Sequence, residues 1–378
     1  MKAIVVTPYY HPKIGGLEIY ARQLNIALSE LKKWDIVVVT SNHGDAKFAI
    51  ERVDGMKVYR LPTMLKFSNT PLNPLWPLQM RRIFKAEKPD VIIAHTPVPS
   101  LADAARLAAP RKTPFVLFYH AATLLKGDSL AFDTIARAYQ TYERLLLHRA
   151  DLICAVSEYV KQQFPTKYQA KTHVVTNAVW VRDIVTRRQP QKADFLFIGS
   201  LDRTHAWKGL TLIIDAIADV RTRFGDDATL TVMGDGNNRA AYEAHVRELG
   251  IEKFVTFLGN QTGAPKETAL RKAQALIIYP TSANDAFPTV MLEAWARNVP
   301  VVAAKIGPLP SLVHDGRDGY LVRPHDARAL AATLHDIATS PLTERAAIAK
   351  TAAERTREHH TWEIQADKVA GLVAEIQQ

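Results

Sequence analysis

The feature that most limits what this chain can fold into is a regular alternation of short apolar runs with longer amphipathic segments. Each apolar run has the length of a β-strand, and the segments between them carry apolar residues at helical spacing. In the first half, the predicted strands are residues 3–7, 36–40, 91–95, 115–119 and 152–156, and the predicted helices are 17–31, 99–109 and 130–148. Such alternation is typical of a parallel, doubly wound sheet covered by helices.

The alternation lapses once, in a polar segment at residues 186–192, and restarts with the apolar run at 195–198. Further strands are predicted at 230–233, 255–258, 275–278, 301–303 and 320–322, and helices at 210–224, 239–249, 290–297 and 327–339. A chain of 378 residues is long enough for two packed domains. We therefore predict two Rossmann-like α/β domains, 1–187 and 188–360, which face a central cleft lined by the carboxyl ends of their strands.

Charge is distributed unevenly along the chain. Residues 1–185 contain 25 Lys or Arg and 15 Asp or Glu, whereas residues 186–378 contain 23 of each, so the first half carries the whole net charge of +10. An anionic ligand or an anionic membrane surface is the partner that this charge favours. The candidate contact residues are Arg81, Arg82, Lys85, Arg111 and Lys112, which could alternatively be solvated cations of helix surfaces. Nucleic acid is disfavoured because no nucleic-acid-binding motif accompanies the charge.

The single cysteine and the short apolar runs indicate the compartment. Cys154 is the only cysteine, so no internal disulfide can form, and a reduced compartment is expected. It lies within an apolar run, so we expect it to be buried. No run approaches the roughly 18 apolar residues that a membrane-spanning helix needs. We expect a cytoplasmic protein, which is either soluble or peripheral at the inner face of the cytoplasmic membrane.

Two glycine motifs stand at points where a loop leads into a predicted helix. Gly15 and Gly16 directly precede the first helix, where they either bring backbone amides close to a phosphate or form a tight turn. Gly234 and Gly236 follow a strand, but Arg239 stands where a dinucleotide fingerprint needs a third glycine. A nicotinamide cofactor is therefore not expected.

The sequence contains none of the common metal-binding motifs. No two aspartates are separated by a single residue, and neither a His-x3-His spacing nor a pair of cysteines occurs. We therefore expect no required metal ion and no other cofactor.

The loop at residues 281–296 combines acidic, aromatic and helix-starting residues. It leaves a predicted buried strand, carries Asp285, passes Phe287 and Pro288, and enters a helix that contains Glu293. Its backbone amides can donate hydrogen bonds to phosphates or sugar hydroxyls, and the Glu293 carboxylate can accept hydrogen bonds from both hydroxyls of a ribose. Taken alone, the segment favours the simpler interpretation, in which Asp285 is a helix cap and Glu293 is a surface acid.

These motifs, taken in order, resemble glycosyltransferase family 4, the retaining GT-B glycosyltransferases. The likeness covers almost the full length of the chain. It rests on residues 15–18 (Gly-Gly-Leu-Glu), 118–120 (Phe-Tyr-His), 156–158, 175–177, 197–199, 208–209 (Lys-Gly), 232–236, 255–259, 285–293, 315–322 and 361–363 (Thr-Trp-Glu).

The resemblance implies a fold and a reaction. The fold is GT-B, in which a C-terminal helix, here residues 361–378, crosses back to the N-terminal domain. The reaction is transfer of a sugar, with retention of anomeric configuration, from a nucleoside diphosphate sugar to a hydroxyl group of an acceptor. A departing phosphate oxygen takes the acceptor proton, and no metal is needed. The N-terminal domain binds the acceptor, for which a glycan or a lipid-linked saccharide of cell-surface polysaccharide or glycolipid synthesis is expected.

The resemblance also assigns residues. His120 and Asp285 are the catalytic candidates, since the family places a histidine and the first acid of a Glu-x7-Glu pattern against the donor sugar. The donor-binding candidates are Gly15, Gly16, Ser200, Arg203, Lys208, Gly234, Phe287, Pro288, Thr289, Val290 and Glu293. Two positions depart from the family, because Asp285 replaces a glutamate and Ser200 replaces a frequent arginine. These departures leave open an alternative, a sugar-nucleotide-binding protein without transferase activity.

Overall fold

A computed structural model describes residues 1–13, 15–42, 47–67, 70–96, 101–121, 130–185, 192–225 and 228–378. Its contacts divide the chain into two compact units, Met1–Asn177 with Trp362–Gln378 (unit 1) and Ala178–Thr361 (unit 2). The predicted boundary between residues 187 and 188 lies outside the described residues. The chain passes from unit 1 to unit 2 after Asn177 and returns to unit 1 after Thr361.

Unit 1 is built on an eight-stranded sheet of order β10-β9-β8-β7-β1-β2-β4-β3, in which only the β3–β4 pair is antiparallel. Its strands are β1 (Lys2–Thr7), β2 (Asp35–Ser41), β3 (Ala49–Val53), β4 (Met56–Leu61), β7 (Val91–Thr96), β8 (Phe115–Tyr119), β9 (Leu152–Ala155) and β10 (Thr172–Val174). A separate antiparallel hairpin is formed by β5 (Leu65–Phe67) and β6 (Thr70–Leu72).

The helices of unit 1 follow the strands of its sheet. They are α1 (Gly16–Lys32), α2 (Trp76–Glu87), α3 (Leu101–Ala108), α4 (Leu130–Arg149), α5 (Glu158–Gln163), α6 (Thr166–Gln169) and, at the end of the chain, α14 (Trp362–Glu375). Helix α14 packs on α1, where the rings of Tyr20 and Trp362 meet edge to face at 5.3 Å and Lys32 pairs with Asp367. This apolar contact and ion pair fix the end of the chain to unit 1.

Unit 2 contains a six-stranded, all-parallel sheet of order β13-β12-β11-β14-β15-β16. Its strands are β11 (Asp194–Ile198), β12 (Thr229–Met233), β13 (Val255–Gly259), β14 (Ala275–Ile278), β15 (Val301–Ala304) and β16 (Gly319–Val322). Its helices are α7 (Leu210–Phe224), α8 (Arg239–Glu248), α9 (Ala264–Lys272), α10 (Thr289–Trp295), α11 (Leu309–Leu312), α12 (Ala327–Thr339) and α13 (Leu342–His359). Short 3-10 helices occupy Val181–Asp183 and Arg203–Lys208.

Each parallel sheet has one point at which the strand order reverses. In unit 1 this point lies between β1 and β7, and in unit 2 it lies between β11 and β14. At such a point the loops that follow the two strands diverge and leave a crevice that binds ligands in doubly wound folds. The loops after β1, β7, β11 and β14 are therefore the places where the fold itself favours a site.

The α/β class predicted from the alternation is confirmed by the two sheets. The strand at Phe115–Tyr119 and the helices Leu210–Phe224 and Ala327–Thr339 have the predicted bounds. Cys154 is completely buried, as its apolar surroundings predict. Among the described residues, no helix combines the length and the apolarity that crossing a bilayer requires.

The loop after β11 in unit 2 packs directly against the end of β14 at a glycine. Gly209 has a φ of +76°, and a Cβ atom there would lie 2.0 Å from the backbone oxygen of Tyr279. The amide of Thr281 donates to the Trp207 carbonyl at 2.7 Å in the same contact. Both the left-handed conformation and the close backbone approach therefore require glycine at this position.

We predict that Gly209→Ala destabilises the protein far more than Gly316→Ala. Gly316 has a nearly equal φ of +72° but open space around its Cα. Gly316→Ala, the control, should lower the free energy of unfolding by about 1 kcal/mol, the penalty of a left-handed alanine. Gly209→Ala should lower it by about 3 kcal/mol or more, because the carbonyl of Tyr279 must also move. Urea denaturation followed by tryptophan fluorescence measures both costs, and equal costs would contradict the close approach.

Candidate functional site

The loop that follows β11 is held by hydrogen bonds that converge on the carboxylate of Asp202. The Ser200 hydroxyl donates to the Asp202 carboxylate at 3.1 Å, and the amide of Asn237 donates to the same carboxylate at 3.0 Å. These bonds to the ionised form lower the pKa of Asp202, with the Asn237 amide as the larger cause. Ser200 therefore holds the backbone of the loop at the position where the family often has an arginine.

Glycines bring the ends of β11 and β12 into backbone contact beside this loop. Gly234 has a φ of +146°, and a Cβ atom there would lie 1.8 Å from the carbonyl oxygen of Gly199. At Gly236, a Cβ atom would lie 2.3 Å from the amide nitrogen of Asp202. A side chain at either position would collide with the neighbouring backbone, so both positions require glycine.

Lys208 and Asp285 meet at the point where the strand order of unit 2 reverses. The Lys208 Nζ atom lies 3.8 Å from Asp285 Oδ2, and both side chains are about one-quarter exposed, at 27% and 24%. The other carboxylate oxygen of Asp285 accepts a hydrogen bond from the Phe287 amide at 3.3 Å. A partly exposed cation and a fixed carboxylate therefore lie side by side in loops that follow β11 and β14. Arg203 starts the 3-10 helix of the same loop and is exposed.

Asp285 is not the cap of α10, because Pro288 precedes the helix and no side chain caps it. Phe287 and Pro288 are buried, and the Phe287 ring meets the ring of His360 edge to face at 5.7 Å. Thr289 and Val290 begin the helix and are half-buried. This packing sets the path of the loop between the two acids.

Glu293 forms an ion pair that the sequence did not indicate. Its carboxylate lies 2.6 Å from the Nζ atom of Lys266 on α9, and both side chains remain partly exposed. Next to this pair, the Arg297 guanidinium lies 2.5 Å from the Glu267 carboxylate. Glu293 is therefore a paired acid at the edge of α10, and Lys266 is an additional charged residue at the candidate site.

In unit 1, Gly15 is the residue directly before helix α1, and Gly16 is the first residue of the helix. Gly15 has an extended backbone with a φ of −170°, and a Cβ atom there would lie 2.3 Å from the Glu18 carboxylate. Burial raises the pKa of Glu18, which the charge of Lys13 partly offsets. The glycine thus makes room for a carboxylate at the helix start, and phosphate binding by Gly15 and Gly16 stays a prediction.

His120 directly follows β8 and is joined to a second histidine. Its Nε2 atom lies 2.8 Å from Nδ1 of His95, which is completely buried on β7. Burial lowers the pKa of His120 to about 3 and that of His95 well below its usual value. Both rings are therefore neutral near pH 7. Sequence patterns did not indicate His95 as a site residue, because it lies within a buried apolar strand.

The candidate basic residues of unit 1 are exposed and lie on two elements. Arg81, Arg82 and Lys85 lie on one face of α2, while Arg111 and Lys112 lie in the turn that precedes β8. The guanidinium of Arg81 donates to the carbonyl of Leu107 at 3.2 Å. In the part of the chain that the structure describes, no group of three or more His, Cys, Asp or Glu is placed to hold a metal ion. Metal independence stays a prediction.

Comparison with known families identifies the chain. Residues 14–181 match the family model Glycosyltransferase Family 4, and residues 182–355 match the model Glycosyl transferases group 1. The chain belongs to the family 4 glycosyltransferases. The resemblance of the sequence motifs to this family is thereby confirmed.

This glycosyltransferase is similar along its length to curated relatives. It is 24% identical to the phosphatidyl-myo-inositol mannosyltransferase of Mycobacterium leprae over 342 residues, which cover 88% of this chain and 86% of that protein. Over 146 residues, or 37% of this chain and 34% of its relative, it is 35% identical to a D-inositol 3-phosphate glycosyltransferase of Corynebacterium aurimucosum.

Solved structures share the GT-B fold of this glycosyltransferase. A sucrose-phosphate synthase of Thermosynechococcus elongatus superposes with a TM-score of 0.77 at 19% identity, over 100% of this chain and 99% of the other. Anabaena HepE in complex with UDP and glucose superposes with a TM-score of 0.75 at 19% identity, over 98% and 99% of the two chains. The predicted GT-B fold is confirmed.

Proposed function

We propose that this glycosyltransferase takes a sugar from a nucleoside diphosphate sugar and transfers it to an acceptor hydroxyl with retention of anomeric configuration and without a metal ion. The observation that carries the proposal is the pair formed by Lys208 and Asp285, 3.8 Å apart, in loops that follow β11 and β14. The complex of HepE with UDP and glucose supports a nucleotide sugar as donor.

In the proposed reaction, Lys208 stabilises the leaving group. Negative charge accumulates on the diphosphate as the glycosidic bond breaks, and a fixed cation near that charge lowers the barrier. Arg203, which is exposed in the same loop, supplies a second cation. A departing phosphate oxygen takes the proton of the acceptor hydroxyl, so the reaction needs no carboxylate base.

The two acids of the loop have different proposed roles. Asp285 faces the donor sugar. The hydrogen bond from the Phe287 amide fixes the orientation of its carboxylate, whose side chain is one methylene shorter than the glutamate of the family. Glu293 accepts hydrogen bonds from the ribose hydroxyls. Because Glu293 pairs with Lys266 at 2.6 Å, nucleotide binding rearranges or extends that ion pair.

We predict that Lys208→Ala lowers kcat by about 100- to 1,000-fold, the range found when a group that stabilises transition-state charge is removed. A matched control is Lys305→Ala, because Lys305 also lies 3.8 Å from an aspartate, Asp315, but on a more exposed surface of unit 2. The control should keep the wild-type kcat. Steady-state transfer assays in EDTA measure both variants.

Equal activity of the two variants would contradict the role of Lys208. Nucleotide binding by the wild-type protein without any transfer to an acceptor would instead favour a sugar-nucleotide-binding protein that lacks transferase activity.

The acceptor is proposed to be a lipid-linked saccharide at an anionic membrane surface. Apolar side chains are exposed on the β5–β6 hairpin and at the start of α2, close in sequence to the basic face of that helix. They are Met64, Leu65, Leu72, Leu75 and Leu78, with exposed fractions of 59%, 68%, 37%, 50% and 56%. We define these five residues with Arg81, Arg82 and Lys85 as the apolar-basic surface.

Local hydrogen bonds hold the hairpin and the start of α2 close together. The Met64 amide donates to the Leu72 carbonyl at 3.1 Å, and the Trp76 indole donates to the Pro62 carbonyl at 2.8 Å, which joins the hairpin to α2. On α2, Leu78, Arg81, Arg82 and Lys85 recur at helical spacing and are exposed. This arrangement allows the leucines to enter the lipid while the cations contact anionic headgroups. Each cation near the surface contributes about 1 kcal/mol to the free energy of membrane binding.

We predict that the protein floats with vesicles of phosphatidylglycerol at low salt and not with vesicles of phosphatidylcholine. The double variants Leu65→Ser/Leu78→Ser and Arg81→Glu/Arg82→Glu should each weaken binding by at least about 10-fold, because apolar burial or charge attraction is lost. The controls Leu249→Ser and Lys253→Glu change exposed residues of unit 2 and should bind like the wild type. Absence of flotation of the wild type with anionic vesicles would overturn the membrane proposal.

A further inference from the structure

The His95–His120 pair of unit 1 is held on several sides at once. β7 and β8 are adjacent parallel strands, and the amide of His120 donates to the carbonyl of Thr96 at 3.0 Å. The two imidazole rings lie 5.1 Å apart with 25° between their planes. The Tyr20 ring meets the His120 ring edge to face at 4.7 Å, and the Tyr20 hydroxyl is fixed to the Val175 carbonyl at 3.2 Å.

This packing leaves each ring little freedom. His95 cannot turn toward solvent because it is completely buried, and it also packs against the Phe118 ring at 5.1 Å. His120 is partly exposed, so only one side of its ring can reach a ligand. Since Nε2 of His120 faces His95, Nδ1 is the nitrogen that remains for a substrate.

A neutral pair of histidines shares one proton across the 2.8 Å contact, which allows two tautomer arrangements. If His120 donates, then His95 must carry its own proton on Nε2. That atom is buried and, among the described residues, has no hydrogen-bond partner. If His95 donates from Nδ1, the buried Nε2 atom is only an unused acceptor. An orphaned N–H group is rarer in proteins than an unused acceptor, which favours donation by His95.

We propose that His95 is a positioning residue, which donates from Nδ1 to His120 Nε2 and thereby holds His120 in the tautomer whose Nδ1–H points away from the strand pair. His120 then acts as a neutral hydrogen-bond donor toward an oxygen of the substrate. It does not act as a base. The inference rests on the proposed transfer reaction for its effect on rate, whereas the tautomer itself can be measured without any turnover.

The test uses two variants of the full-length protein. His95→Phe fills the same apolar space next to Phe118 and removes the donor, and it also removes a buried polar atom that lacks a partner, so the fold should be retained. His95→Asn is the conservative variant, because its side-chain amide can donate from a position near that of the lost Nδ1–H.

Long-range 1H–15N correlation of the imidazole nitrogens at pH 7 should show His120 with its proton on Nδ1 in the wild type. The same tautomer should persist in His95→Asn and be lost in His95→Phe. We expect kcat to fall by about 10- to 100-fold in His95→Phe, with KM nearly unchanged, and to recover in His95→Asn, as for other residues that orient a functional histidine.

Three results would overturn the proposal. They are a wild-type His120 with its proton on Nε2, a His95→Phe variant that keeps the Nδ1–H tautomer, and a His95→Phe variant that loses this tautomer but keeps the wild-type kcat. If the wild type shows the expected tautomer but transfers no sugar, the proposed function fails and the positioning of His120 by His95 stands.

Discussion

The hydrogen bond from the Thr281 amide to the Trp207 carbonyl, at 2.7 Å, joins the two loops on which the candidate donor site depends. The loops follow β11 and β14, the strands between which the order of the unit 2 sheet reverses. This bond and the close approach of Gly209 to Tyr279 fix the positions of the two loops relative to each other. Lys208 and Asp285 lie 3.8 Å apart because their loops are joined in this way.

A second constraint is the low polarity around the histidines of unit 1. Burial makes the charged imidazole unfavourable, so His120, with a pKa of about 3, stays neutral near pH 7. A neutral imidazole can still donate one hydrogen bond, and its partner decides from which nitrogen. In the proposed reaction, the cations of unit 2 stabilise the leaving group, and His120 of unit 1 supplies a neutral hydrogen-bond donor. In this proposal, unit 2 stabilises the charge of the leaving group, and unit 1 orients the substrate.

Much of the fold could be predicted from the sequence because buried parallel strands are continuous apolar runs. The strand at Phe115–Tyr119 is an example, and the helix Leu210–Phe224 shows the corresponding helical spacing. The β5–β6 hairpin and α2 were not predicted, since several of their apolar side chains are exposed and do not follow the pattern of a buried core.

The candidate site could be predicted only where a motif is local in sequence. Asp285, Glu293 and Lys208 were found through such motifs, whereas Lys266 and His95 were not. Lys266 becomes a site residue only through its contact with Glu293 on another helix, and His95 only because its strand lies beside β8. Contacts of this kind depend on the packing of elements that are distant in the chain, which no local pattern encodes.

The most direct test of the central claim is calorimetric titration of the full-length protein with UDP, GDP, ADP and dTDP and with their sugar conjugates in EDTA. We predict that one nucleotide series binds without metal and that its sugar conjugate is slowly hydrolysed. Binding that requires added magnesium would contradict the metal-free site, and no binding across the panel, with or without metal, would contradict a donor site that recognises these nucleotides.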